Sequence, residues 1–212
     1  MREAFQSDLA ELGQLLVSMS RSVRDSMQEA TQALLDANRP VADIVIADDA
    51  KVDALHHRVE ERAFDVIARQ APVASDLRMV LTALRIATDL ERMGDLATHV
   101  AKISLMRHPE SAVPTELVDV FRDMAAVAYR MADKATTVLT SRDVTRASEL
   151  EQDDDEMDAL HRRLFEVVLG DWKHSVEAAI DAALLGRFYE RYADHAVNAG
   201  KQIVYLVTGE TA

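Results

Sequence analysis

The sequence predicts an all-α fold of two tandem, pseudo-symmetric three-helix bundles, with six long antiparallel helices in total. Helix-breaking residues are scarce, with 6 Gly and 4 Pro in 212 residues, while residues of high helix propensity are abundant. Apolar residues recur at alternating spacings of three and four, which is the pattern of helices packed in a bundle. Two phrases also occur twice along the chain, which indicates an internal duplication.

The few helix-breaking residues divide the chain into six long segments. They lie at Asn38-Arg39-Pro40, Gln70-Ala71-Pro72, Arg107-His108-Pro109 with Pro114, Ser141-Arg142-Asp143 and Gly170-Asp171. The first segment carries the apolar spacing in Phe5, Leu9, Leu12, Leu16, Met19 and Val23. The fourth repeats it in Leu117, Phe121, Met124, Ala128, Met131, Ala135 and Val138. At the start of the third segment we expect Ser75 to cap the helix, with Asp76 in its first turn.

The duplication relates the second helix to the fifth and the third helix to the sixth. DDAKVDALHHRVEE, residues 48–61, resembles DDDEMDALHRRLFE, residues 153–166, at an offset of 105. LERMGDLATHV, residues 90–100, resembles YERYADHAVNA, residues 189–199, at an offset of 99. The second half is six residues shorter between these two phrases, and we expect the missing residues to fall in the loop that corresponds to QAPVAS, residues 70–75, of the first half. The halves are then residues 1–108 and 109–212, each an up-down-up bundle.

Charge and composition exclude several classes of function. The net charge of -13 opposes binding to nucleic acid and favours cations or basic protein surfaces. The absence of cysteine excludes disulfides, thiolate metal sites and cysteine nucleophiles. The longest apolar run, residues 124–129, is far short of a membrane span, and the N-terminus does not resemble a signal peptide, so a cytoplasmic protein is expected. No nucleotide-binding or catalytic triad motif is present, so we expect no enzyme activity.

Pairs of carboxylates four residues apart recur in both halves and are the candidate site residues. Such pairs lie one turn apart on one helix face. Converging carboxylates repel one another unless a cation neutralises them, and oxygen ligands suit Mg, Mn, Ca or iron, with nearby imidazoles favouring iron, zinc or nickel. We therefore expect metal ligands at Asp49, Asp53, Glu91, Asp95, Asp154, Asp158, Glu190 and Asp194.

Three alternatives stay open at the level of sequence. The acids can be solvated surface residues of a metal-free helical scaffold. Asp53 with His56, and Asp158 with His161, have the i, i+3 spacing of a carboxylate and an imidazole in di-iron helical-bundle enzymes. Arg92 and its counterpart Arg191 can bind an anion, although pairing with the flanking acids is the simpler expectation. Gly94 indicates close packing of helices.

One family shares these features. ASDLRMVLTALRIATDLERMGDLATHV, residues 74–100, together with the duplicated phrases, resembles the PhoU family of regulatory accessory proteins of bacterial phosphate-specific transport systems. The resemblance covers essentially the whole chain. It implies two three-helix bundles whose acidic motifs bind multinuclear metal clusters in some members, here at the eight carboxylates, with Fe, Zn, Mg, Mn or Ni as the candidate ions. Asp89 corresponds to Phe188, so the second cluster is expected to be poorer in ligands.

The resemblance also implies a function. A protein of this family is expected to be a cytoplasmic negative regulator of phosphate uptake and of the phosphate-starvation response. It would couple the ATPase subunit of the phosphate ABC transporter to a sensor histidine kinase as an adaptor, without catalysis of its own. It would associate only peripherally with membrane complexes, bind no nucleic acid and form a homodimer.

Overall fold

The computed structural model confirms six long helices and describes residues 2–141 and 143–209, with the side chains of residues 2–4 left aside. The helices are α1 (Arg2–Leu35), α2 (Arg39–Gln70), α3 (Ser75–Arg107), α4 (Val118–Ser141), α5 (Val144–Val168) and α6 (Val176–Thr208). A 3₁₀ turn, Thr115–Leu117, leads into α4, and the described residues contain no strand. None of the helices in these ranges combines the length and apolar character needed to cross a membrane.

Side-chain caps fix the start of three helices, and one expected cap is absent. The Asn38 side chain accepts a hydrogen bond from the Val41 amide and begins α2, and Asp143 begins α5 by accepting from the Thr145 amide at 2.9 Å. Ser175 begins α6 in the same way. The prediction for Ser75 is wrong, because α3 begins one residue earlier than a Ser75 cap requires, after Ala74, and that end has no side-chain cap.

The helical hairpin α5–α6 is shorter than its counterpart α2–α3. The difference is in the helix and not, as the sequence had suggested, in the loop. α2 continues past Glu61 to Gln70, whereas α5 ends at Val168, soon after the equivalent Glu166. The connection before α6, residues 169–175, is longer than the connection before α3, residues 71–74. The missing residues therefore shorten a helix, and the expectation that they fall in the QAPVAS loop is wrong. A helix end tolerates such a loss because its backbone hydrogen bonds are local.

The two halves share one hydrophobic core. α1 packs against α2 and α3, α4 packs against α5 and α6, and the halves meet where α1 contacts α4 and α3 contacts α6. Buried polar bonds cross this junction: the Tyr192 hydroxyl donates to the Val23 carbonyl at 3.1 Å, and the Tyr189 and Thr31 hydroxyls are 2.6 Å apart. The acidic motifs are carried by the pairs α2 with α3 and α5 with α6, in which α2 and α5 lie outside and α3 and α6 meet between the halves.

Candidate functional site

In the first half the structure brings the two acidic pairs together between α2 and α3. Burial raises the pKa of Asp49, and repulsion from Asp53 and Asp95 adds to the shift. Burial also raises the pKa of Glu91, with further repulsion from Asp95 and Asp53. Each pair therefore lies within electrostatic range of the other. These four residues are called the first acidic cluster below.

The packing of α3 positions this cluster. Leu90, Met93, Ala97 and Val100 are fully buried on one side of α3, so Glu91 and Asp95 are held at the edge facing α2. Gly94 allows α2 to approach closely. A Cβ at this position would lie 3.3 Å from Val52 Cγ1 and 3.5 Å from Asp49 Oδ1. The glycine predicted to permit close packing therefore lies directly beneath the cluster.

The second half repeats the arrangement between α5 and α6. Burial raises the pKa of Asp154 to about 6, and repulsion from Asp194, Asp158 and Glu190 adds to the effect. Burial and Asp194 also raise the pKa of Glu190, while Arg187 acts against the shift. We call Asp154, Asp158, Glu190 and Asp194 the second acidic cluster. All eight predicted residues therefore fall into two groups of four.

The arginines next to the clusters behave differently in the two halves. Arg92 contacts Asp95 at 3.0 Å and Glu91 at 3.5 Å, as expected. Its counterpart Arg191 has no carboxylate partner among the described residues, so that expectation is wrong for the second half. Arg187 takes its place and bonds Glu190 from the preceding turn. The i, i+3 spacing of Arg187 and Glu190 is the sequence signal that could have identified this pair.

The residues that break the internal symmetry contribute to the contact between the halves. Asp89 accepts from His195 Nδ1 at 2.9 Å, so its carboxylate joins α3 to α6. Phe188, which occupies the equivalent position in α6, stacks on His99 with ring centroids 5.2 Å apart. The replacement of Asp89 by Phe188 therefore changes this junction, and both clusters keep four carboxylates.

The two histidines of the Asp-x-x-His pairs have different surroundings. His56 is half-buried and acts electrostatically on Glu91. His161 packs beneath Gly186, whose added Cβ would lie 3.0 Å from its ring, and its ring centroid lies 5.0 Å from that of Phe165. Burial lowers the pKa of His161, and its Nε2 is buried without a hydrogen-bond partner. The two halves therefore do not present equivalent imidazoles.

Comparison with known proteins gives a family for this architecture. The profile described as the PhoU domain matches residues 16–104 and 121–203. The chain belongs to the PhoU family. It is 45% identical over 210 residues to the phosphate-specific transport system accessory protein PhoU homolog 2 of Mycobacterium tuberculosis, with 99% of each chain covered. Identity to PhoU homolog 1 of Mycobacterium leprae is 43%, over 99% of this chain and 95% of that one.

Solved PhoU structures have the same fold. The crystal structure of PhoU from Pseudomonas aeruginosa superposes with a TM-score of 0.89 at 27% identity, covering 97% of this chain and all of that one. PhoU from Streptococcus pneumoniae gives a TM-score of 0.87 over 98% of this chain and 99% of that chain, and at 24% identity it supports the fold alone. The resemblance inferred from the duplicated phrases is thus confirmed at the level of family and fold.

Proposed function

We propose that this PhoU protein is a cytoplasmic adaptor that represses phosphate uptake and the phosphate-starvation response. The observation that carries the proposal is its similarity, along essentially its whole length, to proteins named as accessory proteins of phosphate-specific transport systems. In this role it contacts the ATPase subunit of the phosphate transporter and a membrane sensor histidine kinase, and acts by binding rather than by catalysis. We expect the protein to be a homodimer, and sedimentation of the purified protein would measure this oligomeric state.

We propose further that each acidic cluster holds metal ions. The donor set supports this, since the carboxylates of each cluster act on one another electrostatically, and burial and repulsion raise the pKa of Asp154 to about 6. Only oxygen ligands are available from the four, so iron, Mg or Mn fits them, and Zn or Ni is the alternative. A bound cation would neutralise the repulsion and link α2 to α3, or α5 to α6.

The adaptor role is tested in cells lacking the endogenous PhoU protein. A reporter driven by a phosphate-starvation promoter should be active in phosphate-rich medium in such cells, and expression of this chain should silence it. Affinity capture of this chain should recover the transporter ATPase subunit or the sensor kinase. A reporter that stays active, with neither partner recovered in rich or starved medium, would refute the proposal.

The metal proposal has its own test. Elemental analysis of tag-free protein purified without chelator should find bound metal in wild type and less of it in a Glu91→Gln, Asp95→Asn variant. Glu166→Gln, which changes an exposed carboxylate of α5 outside both clusters, is the control and should retain the wild-type metal content. Equal content in all three proteins would remove Glu91 and Asp95 from the ligands, and no metal in any of them would favour the metal-free scaffold. An absorbance change when oxygen is added to iron-loaded protein would favour the di-iron enzyme.

A further inference from the structure

We propose that His56, His57 and Glu60 form a separate zinc-type metal site on the exposed side of α2. One ligand atom from each residue can be chosen so that all three atoms lie within 4.8 Å of one another. Within the described residues this is the single set of three or more histidine or acidic side chains that meets this condition. The proposal does not depend on metal in the acidic clusters or on the adaptor role.

The spacing on the helix explains why the three side chains meet. Glu60 lies four residues after His56 and three after His57, so it projects onto the turn that carries both imidazoles. α2 runs from Arg39 to Gln70, which places these residues well inside a continuous helix with a fixed backbone. The ligand backbone is therefore already ordered, and an ion would need to order little beyond the side chains.

One observed distance matches the spacing between two ligands of a zinc ion. Zinc bonds to nitrogen and oxygen of about 2.0 to 2.2 Å place two ligands of a tetrahedral ion roughly 3.3 to 3.5 Å apart. His57 Nδ1 lies 3.3 Å from Glu60 Oε2, and the His56 and His57 ring centroids are 6.0 Å apart. The His57 side chain is 73% exposed and that of Glu60 is 41% exposed, so water can complete the coordination and the ion can enter freely.

Ligand chemistry separates this site from the acidic clusters. Two imidazoles and one carboxylate favour zinc, nickel or copper, whereas sites made only of carboxylates suit harder cations such as magnesium. The first acidic cluster lies close by, since His56 acts on Glu91. Its negative charge raises the local concentration of cations without supplying a ligand. We therefore assign the site to a late first-row divalent ion, with Zn²⁺ as the probe.

The internal duplication argues against a purely structural role for His57 and Glu60. The equivalent positions in α5 are His161, Arg162 and Phe165, so a cation and an aromatic ring replace one imidazole and the carboxylate. α5 folds as a continuous helix with those residues, which shows that the fold does not require the set. An ordinary ion pair would account for the contact of His57 with Glu60, but not for the position of His56 beside that pair.

The test is a calorimetric titration of Zn²⁺ into full-length, tag-free protein in excess Mg²⁺, which competes for oxygen-only sites. Wild type should bind zinc, and His57→Arg, which copies the second half, and Glu60→Gln should each weaken binding by at least about 10-fold, since even outer-shell substitutions cost about 10- to 100-fold. Both residues are on the surface, and far-UV circular dichroism verifies that the variants are folded.

Two controls make the result decisive. His174→Ala disrupts another His–Glu contact, with Glu116 at 3.0 Å, that lacks a third ligand, and zinc affinity should not change. Glu91→Gln with Asp95→Asn removes half of the first acidic cluster and should weaken zinc binding far less than His57→Arg does. The proposal is overturned if wild type binds no zinc, if His57→Arg and Glu60→Gln bind as wild type does, or if the acidic-cluster variant loses as much affinity as His57→Arg.

Discussion

Among the cluster carboxylates, Asp154 shows most clearly the energetic cost of bringing negative charges together. Its pKa lies at about 6, raised first by burial and then by Asp194, Asp158 and Glu190. A carboxyl group with a raised pKa in the folded state stabilises the fold while it is protonated, and this stability is lost as the pH rises through about 6. The metal-free protein therefore carries an unfavourable charge at this residue at neutral pH.

Asp154→Asn should for this reason stabilise the chelator-treated protein at pH 7.5. The shift from 3.8 to about 6 corresponds to about 3 kcal/mol at most, and solvent screening of a half-buried group reduces this to about 1 to 2 kcal/mol. The advantage over wild type should shrink as the pH falls from about 6 to about 4, where Asp154 is protonated in the folded state and about half protonated in the unfolded state. Thermal melts from pH 4 to 8 measure it, with Glu166→Gln as the control. A difference that does not depend on pH would contradict the assigned cause.

The sequence could predict the members of the acidic clusters but only part of their surroundings. The i, i+4 spacing and the duplication identify all eight carboxylates, because both signals are local. The contact between Asp89 and His195 joins residues far apart in the chain, and only the crossing of α3 and α6 brings them together. The pair of Arg187 with Glu190 could have been predicted from its i, i+3 spacing, but no local signal indicates that Arg191 makes no such pair among the described residues.

Helix α3 approaches α2 closely because of one residue, Gly94. Its missing Cβ leaves room for Val52 and Asp49, at 3.3 and 3.5 Å from the position that a Cβ would take. Glycine has a low helix propensity, but at this position it allows the close contact between α3 and α2. The existence of the two helices and their ends near Gln70 and Ser75 could be predicted from breakers and apolar spacing. The end of α5 near Gly170 could be predicted in the same way, but the sequence did not show that the missing residues are lost from α5 and not from the loop before α6.

Gly94→Leu should therefore destabilise the protein, whereas Gly13→Leu should not. A leucine at position 94 would collide with Val52 and Asp49, and overpacking of this kind costs about 1 to 3 kcal/mol. Gly13 lies in α1 with no atom within 4 Å of the added Cβ, so the higher helix propensity of leucine should stabilise that variant slightly. Urea unfolding measures both. Similar changes in the two variants would show that propensity, and not contact with α2, governs position 94.

Several contacts that hold the molecule together join residues of the first repeat to residues of the second. α1 belongs to the first repeat, yet its Val23 carbonyl and Thr31 hydroxyl bond the buried tyrosines of α6 in the second. Arg107, at the end of α3, bonds Asp181 and Glu177 of α6. Removal of either repeat would therefore expose both apolar surface and buried polar groups of the other.

We accordingly expect the two repeats to unfold in a single transition, although the sequence divides at residues 108 and 109. Trp172 is the chain's one tryptophan and reports on the second repeat, whereas far-UV circular dichroism reports on both. Midpoints of urea unfolding should coincide for the two signals, as two-state behaviour requires. The two midpoints should separate in a Tyr192→Ala variant if the substitution weakens the contact between the two repeats more than it weakens either three-helix bundle. Separate midpoints in wild type would instead mean that each three-helix bundle is stable alone and that the shared core adds little.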